Sequence, residues 1–380
     1  MFRFFFLLLF LLLIPDCYIY FSYVRSQIAA WRIVALFLPT ALTLLLMLLL
    51  VCQIRASMLF QLVFLLFICV SVPKLVFTIV DLLGRGIAWK IPFLLPYLHK
   101  GAIILAVCMA ALQVVGSTYG WRLLRTERTL VRLPKMPSAF NGYKIIQISD
   151  IHLGSYSGDT SLMEQMVDSI NHQHPDLIVF TGDMVNTASN EVTPFIRTLS
   201  RLRAKDGVLS ILGNHDYCLY HPGLTPKQQK EEVNRIIRAQ RAMGWNVLLN
   251  AHHTIYRGDD SLVVAGVENI GKPPFPSYGH LDKALQGVKS DACIVLLSHD
   301  PWHWRNQVVG KTPISLTLSG HTHALQMQVG HFSPAAWFMP EWGGLYQKGE
   351  QKLYVSTGIG GNVPYRLGAW PKIEVLTLHN

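Results

Sequence analysis

The first third of this 380-residue sequence contains almost no acidic residues. Only Asp16 and Asp81 precede Glu127, although the chain has 23 aspartates and glutamates. Such a shortage of charge excludes an ordinary soluble domain there, because soluble surfaces carry mixed charges at higher density. After Glu127, charged residues, glycine, asparagine and histidine occur as in globular proteins. The composition therefore predicts a membrane domain followed by a soluble domain of about 240 residues, large enough for one substantial core.

Two further features are lacking. The six cysteines do not suggest a disulfide framework, because four lie in apolar segments and Cys218 and Cys293 stand alone in the soluble part. This usage favours a reducing compartment. No basic run with interleaved aromatic residues accompanies the formal net charge of +10, so no nucleic-acid partner is expected. Part of the positive charge lies between Arg122 and Lys135, where it suits anionic lipid headgroups.

Long apolar runs fill the first third instead. A helix that crosses a bilayer needs about 20 apolar residues. Three stretches are long enough: Ile33 to Gln53, Met58 to Val80 and Gly101 to Tyr119. A fourth, Phe4 to Val24, is interrupted by Pro15 and Asp16, and its alternative interpretation is a signal peptide, although a small-x-small cleavage site is absent. We expect residues 1–126 to form a membrane domain with about four transmembrane helices in contact with the lipid bilayer.

Lysine and arginine in the short loops predict the orientation. With the N-terminus inside, the cytoplasmic side carries Arg3, Arg55 and the basic cluster after Arg122. The other side then carries Arg25, Arg32, Arg85, Lys90 and Lys100. The two sides differ little in lysine and arginine, and the basic cluster after the last span decides which side is predicted to be cytoplasmic. We therefore expect a multi-pass protein of the inner cell membrane with its soluble domain in the cytoplasm.

The soluble part alternates strand and helix signals. Residues 127–142, with Pro134 and Pro137, are predicted to be a linker, and residues 143–380 the soluble domain. Apolar strand-like runs include Tyr143 to Ser149, Leu177 to Thr181, Val208 to Leu212, Cys293 to Leu297 and Ile314 to Leu318. Helical spacing occurs at Ser161 to His172, Glu191 to Arg203 and Pro226 to Met243. The alternation predicts an α/β domain with a mixed sheet and two stacked sheets.

Polar residues able to bind metal follow five of these runs. The segments are Ser149-Asp150-Ile151-His152, Thr181-Gly182-Asp183, Leu212-Gly213-Asn214-His215-Asp216, Leu297-Ser298-His299-Asp300 and Ser319-Gly320-His321-Thr322-His323. Ligands of open α/β sheets bind beyond the carboxyl ends of the strands. We therefore expect the five segments to converge on one edge.

The mixture of carboxylate, amide and imidazole ligands indicates the kind of ion. It suits divalent Mn, Fe, Zn or Co better than Mg or Ca. Three oxygen ligands and four imidazoles are too many for one ion. They suit two ions about 3.5 to 4 Å apart that share a carboxylate.

The order Asp-x-His, Gly-Asp, Gly-Asn-His-Asp, His and Gly-His-Thr-His resembles the calcineurin-like metallophosphoesterases over about Lys144 to Asn380. The resemblance implies a four-layer αββα sandwich behind the transmembrane helices and two divalent metal ions as cofactors. It implies one ion on Asp150, His152, Asp183 and His323, and a second on Asp183, Asn214, His299 and His321. It also implies that His215 is the proton donor. Asp216 either orients His215 or stabilises a turn.

Other segments bear on the branch of the family. Serine/threonine protein phosphatases carry an arginine shortly after Gly-Asp, whereas Gly182-Asp183 continues with Met184 to Ala188, which contains none. This difference argues against a protein phosphatase. The run Cys293 to Pro301 and the tail Tyr354 to Leu378 resemble the bacterial membrane-associated phosphodiesterase branch, which includes relatives of UDP-2,3-diacylglucosamine hydrolases. One departure is Ala324-Leu325, where many members have two glycines.

Two features are candidates for substrate binding. Trp337, Phe338 and Trp342 belong to an aromatic loop that forms either an apolar rim for bilayer or acyl chains, or ordinary packing. Arg366 either clamps a second phosphate or forms a surface ion pair.

These observations favour a membrane-anchored two-metal phosphoesterase that hydrolyses a phosphodiester or pyrophosphate bond of a membrane-located substrate. One alternative is a phosphomonoesterase or nucleotide phosphodiesterase with a soluble phosphate-ester substrate. Another is a membrane sensor or transporter with a regulatory metallo-domain. The three clear spans place no charge at mid-span, so a transport path lacks its usual mark.

Overall fold

The computed structural model describes residues 2–26, 29–51, 57–273 and 275–380. The chain divides into two units, Met1–Tyr119 and Gly120–Asn380. The boundary therefore falls before the predicted end of the membrane domain at residue 126. The five cysteines in the described part of the chain are all free thiols.

The first unit is helical. Its helices are α1 (Phe2–Ile19), α2 (Ala30–Val51), α3 (Ser57–Leu66), α4 (Val72–Ala88) and α5 (Leu95–Thr118). A π-helical turn at Phe67–Ser71 joins α3 to α4. Among the described residues, three segments are long and apolar enough to cross a membrane: Ala30–Leu50, Leu59–Ala88 and Pro92–Arg122. The apolar helix Leu9–Val24 is shorter, so a fourth span stays a prediction.

The second of these spans is longer than predicted and carries buried charge. It runs from Leu59 to Ala88, so that Lys74 lies at its middle, which corrects the expectation that no charge lies at mid-span, and it also contains Asp81. The Lys74 ammonium lies 2.7 Å from the Asp16 carboxylate. Asp81 accepts hydrogen bonds from Tyr23 at 2.5 Å and Arg85 at 3.1 Å. Pairing of this kind offsets part of the cost of charge in an apolar environment. Gln53 and Arg55, used in predicting span and orientation, lie outside the described residues.

The second unit contains two six-stranded sheets. In chain order the strands are β1 (Arg125–Arg132), β2 (Tyr143–Ile148), β3 (Leu177–Phe180), β4 (Val208–Ser210), β5 (Asn246–Val247), β6 (Ala251–Arg257), β7 (Asp260–Gly266), β8 (Cys293–Leu297), β9 (Leu316–Ser319), β10 (Gly344–Lys348), β11 (Gln351–Val355) and β12 (Lys372–His379). The first sheet has the order β1-β12-β2-β3-β4-β5, and the second β10-β11-β9-β8-β7-β6. Strands β2 to β5 run parallel, as do β11, β9, β8 and β7.

Helices cover the outer faces. They are α6 (Ser161–His172), α7 (Ile196–Leu199), α8 (Pro226–Ala242), α9 (Leu281–Ala284) and α10 (Pro301–His303). Side chains alternate along β2, so that Ile145 packs between the sheets while Ile146 and Ile148 pack on the helix side with Met166 of α6. A third cluster joins the outer face of the second sheet, including Leu296, to Trp304. The predicted four-layer αββα sandwich is confirmed.

Local sequence explains where elements begin and end. Helix α8 starts because Thr225 and Gln228 form a capping box around Pro226, which needs no hydrogen-bond donor in the first turn. The predicted helix from Glu191 to Arg203 is mostly replaced by a 3-10 turn, Ser189–Phe195, and the short α7. Pro194 lacks the N–H that a continuous α-helix would use.

The predicted linker is not a bare connection. Residues 125–132 form β1, which pairs in parallel with β12 and so completes the edge of the first sheet. Val131 and Leu133 are fully buried between the sheets. The basic residues of this segment obscured the strand pattern, because they stand at its exposed positions.

Candidate metal centre

The five polar segments lie where parallel strands end. Asp150, Asp183 and Asn214 follow β2, β3 and β4 of the first sheet, and His299 and His321 follow β8 and β9 of the second. Hydrogen bonds link the loops to one another: Asp150 N–H donates to the Gly182 carbonyl at 2.9 Å, and Gly320 N–H donates to the His299 carbonyl at 2.9 Å. The segments therefore converge on one edge of the sandwich.

The candidate ligands gather in two groups that share one carboxylate. Asp150, His152, Asp183 and His323 offer ligand atoms that all lie within 4.8 Å of one another, and so do Asp183, His299 and His321. Asn214 joins the second group, since its Oδ1 lies 3.1 Å from His299 Nε2 and 2.9 Å from His321 Nδ1. The side chains have the grouping that the family resemblance implies. Their role as ligands stays a prediction.

The short distances inside the groups favour cations. His152 Nε2 and His323 Nε2 face each other at 3.2 Å, and at most one of these atoms can donate to the other. The Asp150 carboxylate lies 3.4 Å from His323 Nε2, and the Asp183 carboxylate lies 3.2 Å from His299 Nε2. All these side chains are buried or nearly so. Converging lone pairs in a desolvated place need a positive partner, so this donor set fits divalent metal ions.

The electrostatics agree with that fit at His152 and His323, whereas at His299 burial would lower the pKa but the Asp183 carboxylate raises it to about 10. Burial holds the pKa of His152 and of His323 well below the ordinary value for imidazole. The lowered pKa favours the neutral imidazole, which is the form that metal ligation requires. Burial would raise the pKa of Asp183, but His299 and His215 beside it hold that pKa well below its usual range. Burial, together with the neighbouring Asp183, raises the pKa of Asp150 to about 6.

Much of the centre stands on a left-handed backbone. Five of the seven candidate ligands have positive φ values: Asp150 (52°), His152 (50°), Asp183 (61°), His321 (73°) and His323 (50°). Such conformations are uncommon outside glycine and concentrate at functional sites. Ala324 and Leu325, which stand where many family members have glycine, also have positive φ values of 51° and 47°. The backbone therefore keeps the unusual turn although the glycines are missing.

His215 is held beside both groups. Its Nδ1–H donates to the Asn186 carbonyl at 2.7 Å, and its backbone N–H donates to Asp183 Oδ1 at 2.8 Å. Its ring meets the His152 ring edge-on, with 4.7 Å between the centroids. The Asn186 carbonyl was not predicted from the sequence, because nothing in the run after Asp183 marks a backbone acceptor.

The Asp216 side chain binds backbone groups of two turns. Its carboxylate accepts hydrogen bonds from the backbone N–H groups of Gly213, Asp183 and Met184 at 2.8 to 2.9 Å. Burial, together with the neighbouring Asp183, raises its pKa to about 7. Of the two roles left open by the sequence, the structure supports the turn.

A residue that the sequence did not suggest lies over this turn. The Tyr220 hydroxyl accepts a hydrogen bond from Asn214 Nδ2 at 3.0 Å. The Tyr220 ring also packs on the His215 ring, with 4.3 Å between the centroids. No spacing rule would find it, because an irregular turn and not a helix or strand brings it back to the centre.

The aromatic loop lies partly at the rim. Trp337 and Phe338 are 73% and 68% exposed. Phe338 lines a cavity of about 110 Å³ that also touches His321, Phe275 and Lys272. Trp342 is half-buried and lines a different cavity, beside Glu374 of β12. Trp337 and Phe338 are therefore exposed, but of the three aromatic residues only Phe338 lines the cavity beside His321.

Arg366 has another role than the predicted phosphate clamp. It is only 1% exposed, and its guanidinium donates to the backbone carbonyls of Thr357, Ala369 and Gly360. A guanidinium committed to three carbonyls is not available to a substrate phosphate. The structure corrects the prediction: Arg366 stabilises the loop after β11, where Gly360 N–H donates to the Asp150 carbonyl at 2.8 Å.

Comparison with known proteins places the chain in a family. The sequence model of the calcineurin-like phosphoesterases matches residues 143–325. A Bacillus subtilis protein described as the uncharacterized metallophosphoesterase YkuE is 31% identical over 286 residues, which are 69% of this chain and 90% of the relative. The chain belongs to the calcineurin-like metallophosphoesterase family, and the resemblance seen in the sequence is confirmed.

Two other relatives carry informative names. A Bos taurus protein, "Transmembrane protein with metallophosphoesterase domain", is 32% identical over 258 residues, covering 66% of this chain and 56% of the relative. The chain thus spans little more than half of that relative. The Chlamydia trachomatis protein "UDP-2,3-diacylglucosamine pyrophosphatase LpxG" is 38% identical over 99 residues, covering 26% of this chain and 30% of the relative.

Proposed function

We propose that the protein is a membrane-anchored, two-metal phosphoesterase that hydrolyses a phosphodiester or pyrophosphate bond. The observation that carries this proposal is the pair of ligand groups that share the Asp183 carboxylate. One ion would bind Asp150, His152, Asp183 and His323, and the other Asp183, Asn214, His299 and His321. Two bound ions would polarise phosphoryl oxygens and lower the pKa of a bound water toward neutrality.

The protein's own side chains would position the reacting groups. The Nδ1–H of His215 is taken by the Asn186 carbonyl at 2.7 Å, which fixes the ring and leaves Nε2 for the substrate. From there His215 would protonate the departing oxygen, because an imidazole can deliver a proton near neutral pH. Asp216 would keep the Gly213 and Asp183 turns in register by accepting their backbone N–H groups.

A substrate held at a membrane is the second part of the proposal. Its support is the exposed Trp337, the exposed Phe338 in the cavity beside His321, and the three apolar helices in the first unit. Large exposed apolar groups usually mark contact surfaces. The name of the chlamydial relative, a pyrophosphatase of a diacylated sugar nucleotide, indicates a bond type to test.

Turnover by the full-length protein in detergent tests the enzyme. Metal-free protein loaded with Mn²⁺ should hydrolyse bis-p-nitrophenyl phosphate, and chelation should abolish that activity. UDP-2,3-diacylglucosamine and its deacylated analogue should then be compared. A preference of the wild type for the acylated compound would support a membrane-located substrate. Trp337→Ser should lose this preference, and the control variant Tyr256→Ser should keep it. Equal rates would favour the soluble phosphate ester, and inactivity with Mn, Fe, Zn and Co would refute the enzyme.

We also propose that the second unit lies in the cytoplasm and that the membrane is the inner cell membrane. The basic residues from Arg122 to Arg132 follow the last apolar helix and support this orientation. A fusion after Asn380 to green fluorescent protein, which does not fluoresce when exported unfolded, should be fluorescent, and a matched alkaline phosphatase fusion should be inactive. The opposite pair of results would reverse the orientation.

A sensor or transporter is the candidate of another class, and its support is the partly buried Lys74–Asp16 pair in the first unit. Ionisable groups inside a membrane often belong to a conduction or sensing path. The double variant Asp16→Asn, Lys74→Met removes both charges together. Unchanged hydrolysis by this variant would count against a sensor that regulates the metallo-domain. Loss of a measured ion flux in reconstituted vesicles would favour a transporter.

A further inference from the structure

Tyr220 touches two neighbouring side chains of the proposed centre at once. Its hydroxyl lies 3.0 Å from Asn214 Nδ2, and its ring centroid lies 4.3 Å from that of His215, with 37° between the planes. We propose that Tyr220 is a positioning residue with two separable functions: its hydroxyl orients Asn214 for one metal ion, and its ring orients His215. This inference rests on the proposed roles of Asn214 and His215.

The backbone explains how Tyr220 reaches the centre. After the 3-10 turn His215–Tyr217, the chain reverses at Cys218, whose φ is 54°. Cys218 N–H donates to the His215 carbonyl at 2.9 Å, and His221 N–H donates to the Cys218 carbonyl at 3.2 Å. These two bonds close a tight turn that carries Tyr220 back over the residues that precede it. A left-handed non-glycine residue is costly, which indicates that this return has a purpose.

The hydroxyl acts through the amide of Asn214. An asparagine can bind a metal ion only through its oxygen, because the amide nitrogen has no available lone pair. In the structure the oxygen points to His299 and His321, at 3.1 and 2.9 Å, and the nitrogen points to Tyr220. By accepting from the nitrogen, the hydroxyl satisfies the donor end and keeps the oxygen turned toward the two imidazoles.

The Tyr220 ring adds a further contact to the His215 ring. The Asn186 carbonyl fixes one ring nitrogen, and the His152 ring meets His215 edge-on at 4.7 Å. With this single hydrogen bond the His215 ring can still rotate about its bond to the Asn186 carbonyl. The Tyr220 ring restricts that rotation by packing on the imidazole. Tyr220 itself is 40% exposed, so one part of its ring packs on His215 while another faces solvent.

Two substitutions separate the functions. Tyr220→Phe keeps the ring and removes the hydroxyl, whereas Tyr220→Leu removes both. Tyr256→Phe, at an exposed tyrosine of β6, is the matched control. Metal-free full-length protein in detergent is titrated with Co²⁺, followed by calorimetry and by visible absorption. In Tyr220→Phe we expect one of two ions to bind about 10-fold more weakly, as is typical when a residue that orients a ligand is lost.

The second measurement is the kcat and KM of each variant for bis-p-nitrophenyl phosphate at saturating metal. The kcat of Tyr220→Phe should return to the wild-type value, because excess metal compensates for the weaker site. The kcat of Tyr220→Leu should stay about 10-fold low with KM unchanged, because His215 is no longer held. Thermal unfolding shows whether each variant is folded. If Tyr220→Leu does not fold, the Co²⁺ affinity of Tyr220→Phe alone tests the proposal.

The outcomes are distinct. Two ions bound by Tyr220→Phe as tightly as by the wild type would overturn the role of the hydroxyl. A wild-type kcat in Tyr220→Leu would overturn the role of the ring. If the wild type binds two ions but hydrolyses no ester, the proposed function fails, while the Co²⁺ titration still decides the role of the hydroxyl.

Discussion

Asp216 Oδ2 accepts a hydrogen bond from the backbone N–H of Asp183 at 2.9 Å, although 33 residues separate the two in the chain. The same oxygen accepts from Gly213 N–H at 2.9 Å. One carboxylate therefore fixes the ends of β3 and β4 relative to each other. The geometry of the proposed shared ligand therefore depends on a residue outside both ligand groups.

Asp216→Asn should destabilise the protein by about 1 to 3 kcal/mol, because the amide group turns a donor toward backbone donors in a fully buried place. The thermal midpoint of the full-length protein in detergent measures this. The same substitution at the exposed Asp259 should leave the midpoint unchanged. A midpoint of Asp216→Asn equal to that of the control would show that the turns do not need the carboxylate.

Asp183→Ala should remove both ions, whereas Asp150→Ala should remove only one. The reason is that Asp183 belongs to both ligand groups and Asp150 to one. Metal counts per chain, by mass spectrometry of protein freed from loose metal, give the comparison. One ion retained in Asp183→Ala would contradict a shared carboxylate.

His215→Ala should retain both ions and lose turnover by about 10²- to 10⁴-fold, the usual contribution of a general acid. The side chain of His215 is placed beside the ligand groups and is bound by the Asn186 carbonyl. His221→Ala, at a half-buried histidine six residues further on, is the control. Unaltered turnover in His215→Ala would remove it from the reaction.

Glu374→Gln should change how stability depends on pH. Glu374 is 1% exposed, and Tyr354 donates to its carboxylate at 2.7 Å. Burial raises its pKa from 4.5 to about 7. Between those values the folded state keeps a proton that the unfolded state has lost, so stability falls as pH rises from about 4.5 to 7, by up to about 3 kcal/mol.

Denaturant unfolding at pH 5 and pH 8 measures that change. The glutamine cannot ionise. The free energy of unfolding of Glu374→Gln, relative to that of the wild type, should therefore rise by about 2 to 3 kcal/mol between pH 5 and pH 8. Glu350→Gln, on an exposed turn, should show no such rise. A constant difference between Glu374→Gln and the wild type would mean that Glu374 is charged in the fold.

Ala324→Gly should stabilise the protein by up to about 1 kcal/mol, because Ala324 has a φ of 51° and only glycine adopts that conformation without cost. Ala239→Gly in helix α8 should do the reverse, with a loss of about 1 kcal/mol. Thermal midpoints of both variants provide the measurement. Destabilisation in both would indicate that the Ala324 methyl group contributes more through packing than it costs in backbone strain.

The sequence predicted the chemistry better than the edges of the fold. Strand signals were clear where apolar runs end in polar residues, as at β2 with Asp150, because burial on both faces gives a continuous apolar run. Strand β1 was missed because its solvent face is basic. Arg366 was misjudged, since a charged residue is rarely fully buried. Contacts such as Asn214–Tyr220 depend on irregular turns, for which the sequence has no periodic pattern.

The left-handed backbone limits how the centre can be redesigned. At Asp150, His152, Asp183, His321 and His323 the conformation favours aspartate, asparagine, histidine or glycine. Introducing cysteine or glutamate there to change metal preference would strain the main chain. Asn214 and His299 have no positive φ, so an engineer could vary their side chains more freely. Ligand exchange in the proposed centre is thus easier in the second ligand group, to which Asn214 and His299 belong.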